Sequence, residues 1–259
     1  MKKFIFTVAM VTISFLSKAQ VSETRNVSSF SKIQAADGLE IIYSKGNTTS
    51  VIVESTGDTP LNTIKTKVKN NTLFVSGAKG SSAKIYLSTP EVKAVVLKSN
   101  SKFRIVDELT APSVTVKVSS GAYLLGHIKS ENLVISATSN AKLILTATSS
   151  SVSAYCSEGA KARVSGTTKE LDLRLNSNAY WNSSNLESED ITVKASNNAD
   201  AVLCGLANLN LSLEDEAKVT YFGTPSNLYV AEGLTVTEKK SSGENSKIVM
   251  VQNPETRNL

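Results

Sequence analysis

The sequence predicts an all-β protein, a right-handed parallel β-helix (β-solenoid) with coils of about 19 residues. The first observation is a corner that recurs: Asn100-Ser101, Gly121-Ala122, Asn140-Ala141, Gly159-Ala160, Asn178-Ala179, Asn198-Ala199 and Glu216-Ala217, at spacings of 21, 19, 19, 19, 20 and 18 residues. All but one of the leading residues are Asn or Gly, which enter left-handed backbone most cheaply. The second is alternation of apolar residues on both sides of each corner, the period of a strand with one buried face. The third is that no segment carries the three- and four-residue apolar spacing of a helix.

Taken along the chain, residues 1–19 read as a signal peptide. Lys2 and Lys3 precede an apolar run from Phe4 to Leu16, and Ser17-Lys18-Ala19 places small residues at the cleavage site. The run is too short to span a bilayer, which takes roughly 20 residues. The alternative is a retained N-terminal anchor. Cleavage would leave Gln20 first, with no integral membrane segment after it. Residues 20–92 have β composition without the strict period. Leu39 and Ile41, Val51 and Val53, Leu73 and Val75, and Ile85 and Leu87 are separated by turn-formers such as Lys45-Gly46-Asn47 and Asn70-Asn71. This segment is expected to continue or cap the N-terminal end of the rod.

Residues 93–240 carry the repeats. Val114, Val116 and Val118 align with Leu133, Ile135 and Ala137, then Val152, Ala154 and Cys156, then Leu171, Leu173 and Leu175, then Ile191, Val193 and Ala195, then Leu209, Leu211 and Leu213. After the corners the same parity holds, as in Leu143 and Leu145 or Ala162 and Val164. Each unit is therefore a strand, a polar corner, a second strand and a longer polar return, with Gly166, Gly205 and Gly223 placed to bend that return. Parallel crossovers are overwhelmingly right-handed, which sets the expected hand. Ser, Thr and Asn recur in line at the corners and should stack as hydrogen-bonding ladders. An antiparallel sandwich would explain the alternation but not the constant strand-corner-strand phase. Residues 241–259 read as a polar C-terminal tail.

Phe30-Ser31-Lys32-Ile33, Lys45-Gly46, Val51-Ile52-Val53-Glu54, Asn71-Thr72-Leu73-Phe74-Val75 and Ile85-Tyr86-Leu87-Ser88-Thr89-Pro90-Glu91-Val92, followed by the Ser/Gly/Asn-Ala repeats, resemble the putative auto-transporter adhesin, head GIN domain family. The resemblance runs over nearly the whole chain after the leader. It implies a β-helical exported protein of Gram-negative bacteria, commonly of the Bacteroidetes type, located in the periplasm, at the outer membrane or outside the cell. It supplies no site residues.

Chemistry is constrained by scarcity. One His and two Cys leave few ligands for zinc or haem, so no metal and no cofactor is expected. The formal charge of +5 shrinks once the leader's three lysines go, leaving 25 basic residues against 23 acidic ones. That balance excludes a nucleic-acid partner. Cys156 falls at an inward position and Cys204 at the opposite parity, so both should be free thiols. Trp181 should be core, and His127 exposed. Parallel β-helices that cleave polysaccharides need clustered carboxylates on an outward face. Here Asp172, Glu187, Glu189 and Asp190 are dispersed, and Glu214-Asp215-Glu216 reads as a solvated corner. No catalytic residue is assigned, and a polysaccharide-cleaving enzyme stays as the alternative to a non-enzymatic binding rod.

The candidate binding residues lie one past each corner: Lys102, Tyr123, Lys142, Lys161, Tyr180 and Lys218, with Asp200 interrupting; three past add Arg104 and Arg163. In the proposed register they form an outward face of Lys and Tyr. Lys can hold acidic groups and Tyr rings can stack on sugars, so the expected partner is an acidic glycan or a cell-envelope component. The competing reading is that Lys and Tyr simply suit an exposed strand.

Overall fold

The computed structural model describes residues 21–55, 57–230, 235–239 and 247–250; the predicted leader and most of the predicted tail lie outside them. The chain opens with β1 (Ser22–Arg25), β2 (Lys32–Ala35), β3 (Glu40–Lys45), β4 (Ser50–Ser55), a 3-10 turn at Leu61–Thr63, β5 (Lys65–Lys69), β6 (Thr72–Ser76) and β7 (Ala83–Thr89). β2 and β3 form one rung, joined at Asp37 and Gly38, both with positive φ (64° and 73°). β6 and β7 form another rung, stacked on β2 and β3 in parallel. The opposite edges of β2 and β3 are taken by β8 (Ala94–Leu97) and β9 (Lys102–Thr110), also in parallel. The rung made first in sequence is therefore the second in space, held between two rungs made later.

Antiparallel strands close this end: β5 lies on β6, β4 on β7, and β1 on β4. Among the described strands β5 pairs only with β6, and it exposes Lys65, Lys67 and Lys69 at alternate positions. Charges spaced this way on an edge strand discourage pairing with another chain.

The regular rod follows with β10 (Ser113–Val118), β11 (Tyr123–Ala137), β12 (Lys142–Cys156), β13 (Lys161–Leu175), β14 (Tyr180–Ala195), β15 (Asp200–Leu213) and β16 (Lys218–Phe222). It ends with β17 (Asn227–Val230), β18 (Thr235–Lys239) and β19 (Lys247–Met250). Every coil-to-coil pairing from β8 to β18 is parallel, which removes the sandwich alternative. The architecture is a parallel β-solenoid of about seven turns. β19 pairs antiparallel with β18, so antiparallel pairing occurs at both ends.

Each corner is a tight turn with two consecutive left-handed residues, such as Ser139 (φ 52°) and Asn140 (φ 60°), and an Ala141 N–H donating to the Thr138 carbonyl at 3.1 Å. Two positive φ values and that bond are the pattern of a type I′ turn. The same pair of angles recurs at all seven corners. The two sides of the corner are bonded in opposite axial senses. The strand-end N–H of Thr138 reaches back to Val118 O, while the corner N–H of Asn140 reaches forward to Glu158 O. The small residue after the turn points inward, with Ser101 and Ala122, Ala141, Ala160, Ala179 and Ala199 all at most 1% exposed.

The return differs from expectation. From β11 to β13 it is extended backbone in register with its neighbours, so that β12 runs unbroken from Lys142 to Cys156 and only Ser150 lacks a register partner, whereas the register breaks over several residues between β9 and β11 and between β14 and β15. Most of its polar side chains face water, while Thr168 and Ser188 are buried and donate to backbone carbonyls. Its backbone groups have partners one coil away, so the polar stretch is not a loop. Gly166 and Gly223 take positive φ there, and Gly205 does not.

The core is a stack of columns. Ala162, Trp181 and Ala201 are consecutive register partners, and the indole is fully buried between two alanines that leave it room. Cys156 is buried between Ala137 and Leu175 in register. The polar ladders are short. Ser130 and Ser149 lie 3.0 Å apart, Thr146 and Ser165 3.2 Å, and Asn227 donates to Asn208, which donates to Asp190.

Candidate functional site

The strand following each corner begins with an outward residue, and parallel pairing fixes these residues in one line. Lys102 is the register partner of Tyr123, Tyr123 of Lys142, Lys142 of Lys161, Lys161 of Tyr180, Tyr180 of Asp200, and Asp200 of Lys218. Neighbours along such a column are separated by about 4.8 Å. The lysines are exposed and both tyrosines half-buried. Arg163 belongs to the adjacent column, between Ile144 and Asn182, and Arg104 to the same column beside Ile42 and Leu125. All eight candidate residues thus share one face, six of them in the first column and Arg104 and Arg163 in the second.

Two residues of this column are not visible from the repeat period. Glu40 pairs with Lys102 on one side and with Lys84 on the other, so the line runs Lys84, Glu40, Lys102 before it reaches Tyr123. The signal was Asp37-Gly38 just ahead of Glu40, a corner of the same kind as those downstream.

The electrostatics are uneven. Lys142 and Lys161 stand on adjacent coils, and among the described residues neither is in an ion pair. Strand spacing holds the two side chains about 4.8 Å apart at their bases, and like charges at that range repel by somewhat under ~1 kcal/mol in bulk water. A bound anion relieves that repulsion. Further along, burial pushes the Asp200 carboxyl above its ordinary range, and Lys218 pulls it partly back. Asn182 donates to the Tyr180 hydroxyl at 3.3 Å, which ties that ring's outer end to the neighbouring column. Beyond it the second column turns apolar, with Ile144 41% exposed.

Of the dispersed carboxylates, Asp190 is placed by the register beside a further one, Glu170. Both lie on the return and are exposed, and Asp190 accepts from Asn208. His127 is exposed, between Glu108 and Thr146 in register. Among the described residues no group of three or more His, Cys, Asp or Glu is placed to hold a metal ion, and no helix is long and apolar enough to cross a membrane.

Solved structures share this fold. A protein of Parabacteroides distasonis described as a putative lipid binding protein superimposes with a TM-score of 0.78 at 12% identity, covering 86% of this chain and 98% of its own. A putative adhesin of Parabacteroides merdae gives the same values. A putative adhesin of Bacteroides fragilis gives 0.62 at 16% identity, with 86% and 95% covered. No curated protein matches the chain. The corners, the coil length and the N-terminal strands together fit one sequence profile over residues 29–225, and the chain belongs to the family described as "Putative auto-transporter adhesin, head GIN domain".

Proposed function

We propose that this protein is a non-enzymatic, exported surface module that holds an acidic glycan along its Lys–Tyr column. The observation that carries the reading is the unbroken register from Lys102 through Tyr123, Lys142 and Lys161 to Tyr180. Family membership and solved relatives named as adhesins support the surface role. A repeating polymer suits a repeating receptor: successive acidic groups meet successive ammonium groups, and the two tyrosines offer partly exposed faces to sugar rings. The pairing is electrostatic and solvent-exposed, so it weakens with salt.

The test is binding of the purified protein to immobilised heparin, alginate and polygalacturonate across a salt series. Binding at low salt should fall as salt rises, and the combined Lys142→Ala, Lys161→Ala and Tyr180→Ala variant should lose it while keeping its far-UV circular dichroism. Binding that survives the triple substitution refutes the column, as does no binding at low salt. Chain cleavage of any of these polymers would instead support the polysaccharide-cleaving alternative.

A further inference from the structure

The strand entering each corner has an outward column of its own, five residues ahead of each small inward residue. Lys117, Ser136, Tyr155, Arg174, Lys194 and Ser212 are consecutive register partners along it. This face is separate from the Lys–Tyr column, which begins only after the chain has turned. Between Tyr155 and Ser212 a cleft of about 250 Å³ opens, bounded at its corner side by Asn176 and Glu214.

The groups around the cleft are complementary to one kind of ligand. Arg174 and Lys194 are register partners on adjacent coils, about 4.8 Å apart along the backbone, and both line the cleft, which gives it a guanidinium and an ammonium. Two adjacent cations, one of them a planar fork, match the two oxygens of a carboxylate. Arg174 has one ion-pair contact, to Asp172 on its own strand at 3.5 Å, with the two side chains 64% and 46% exposed. An exposed pair of that kind is worth little and leaves the remaining guanidinium N–H groups for a ligand. Tyr155 is 44% exposed on the next coil, and its ring can lie against the apolar face of a sugar. The Asn176 amide oxygen already accepts from Ser177 and Asn197, which leaves its NH2 to donate; Ser212 can donate and accept and Glu214 only accepts, which suits hydroxyl groups.

Glu214 also sets a limit. A polyanion lying across the cleft would bring a second negative group against it, whereas a unit with one acid and several hydroxyls would not. We propose that this cleft is a second binding site, specific for a single carboxylate-bearing sugar unit such as the end of a glycan chain. It stands independently of the polymer-binding column, and either can fail without the other.

Methyl glucuronide is the probe, with methyl glucoside and acetate as controls, followed by saturation-transfer NMR and titration. The glucuronide should bind saturably and both controls at least tenfold more weakly, because each lacks half of the complementary groups. Arg174→Ala, Lys194→Ala and Tyr155→Ala should each weaken glucuronide binding by about tenfold or more, the scale of a lost charge-assisted contact. Because these side chains are exposed, the variants should keep the thermal midpoint. The Lys142→Ala, Lys161→Ala, Tyr180→Ala variant should bind the glucuronide unchanged. The proposal is overturned if the glucuronide does not bind, if acetate binds equally well, or if binding is lost in the column variant and retained in Arg174→Ala and Lys194→Ala.

Discussion

Gly166 and Gly205 occupy the same place in the repeat, six residues past their corners, yet substitution by alanine should have opposite consequences. At Gly166 the backbone has φ 113°, a region L residues rarely enter, and holding alanine there costs about 1–3 kcal/mol. The new methyl would also stand 2.0 Å from the carbonyl oxygen of Ala147 on the preceding coil. Ordinary contact begins near 3.4 Å, so the coils must part by about 1.4 Å, close to a third of their spacing. Backbone bonds of about 2.9 Å would be stretched well past their useful length. Overpacking of this kind adds about 1–3 kcal/mol, giving a total of about 2–6 kcal/mol. At 2–4 °C per kcal/mol for a chain of this size, the thermal midpoint should fall by about 4–24 °C. At Gly205 the nearest atom to a new methyl is Ile191 Cδ1 at 3.6 Å, and φ is not positive. There the change should lie between nothing and about 1 kcal/mol of stabilisation, from the stiffer unfolded chain. Urea and thermal unfolding of the two variants, compared by their midpoints, separate the outcomes. Equal shifts would refute the claim that the return of one coil is pressed against the backbone of the last.

Leu173 is fully buried and Arg174 exposed, so Leu173→Ala should cost about 2–5 kcal/mol and Arg174→Ala less than about 0.5, measured by urea denaturation. Equal losses would mean that the strand parity is wrong. Burial pushes the Cys156 thiol up to about 12 from an ordinary 9.0, so the folded state holds that proton more tightly than the unfolded one. Its contribution is therefore complete below pH 9 and lost as the pH rises from 9 to about 12. Relative to Cys156→Ala, the wild-type urea midpoint should fall across that window, and parallel curves would contradict it. Burial, and then Glu187, push the partly buried Cys204 thiol above its ordinary range, so it should react with maleimide in the native protein more slowly than a free thiol, while the buried Cys156 reacts only on unfolding.

The parity of the strands and the corner period were readable from the sequence because both are nearest-neighbour properties. An inward Leu171 or Val193 is determined by its own strand, and a solenoid repeats that rule every coil. The first left-handed residue of each turn was not readable: Ser139, Glu158 and Ser177 carry no mark of it, since the geometry is imposed by the bond from the residue after the corner. Nor was the room for Trp181, which depends on alanines 19 and 20 positions away and becomes meaningful only once the register is known. The candidate column was legible from Lys102 onward for the same reason as the core. Its extension to Glu40 and Lys84 was hidden because those rungs are stacked out of sequence order. The cleft beside Tyr155 was not readable because it arises from four coils together and from no local motif.

That out-of-order stacking divides the molecule into two kinds of material. From Ser113 to Leu213 the partners of each residue lie about one coil away in the chain, as in the Ser139–Glu158 contact across 19 residues. Such turns can be gained or lost in evolution by duplication or deletion, because removing one brings equivalent edges together. The rung of β2 and β3 has no such freedom. Its contacts reach across 40 residues to Asn71 and across 66 to Ser101, on opposite sides. On a growing polypeptide this rung gains one edge's partners only with residues 72–89 and the other's only with residues 94–105, and a protein shortened from the front would lose a slice from within rather than its tip. The coils of the regular rod are thus interchangeable units, whereas the N-terminal three rungs interlock as one.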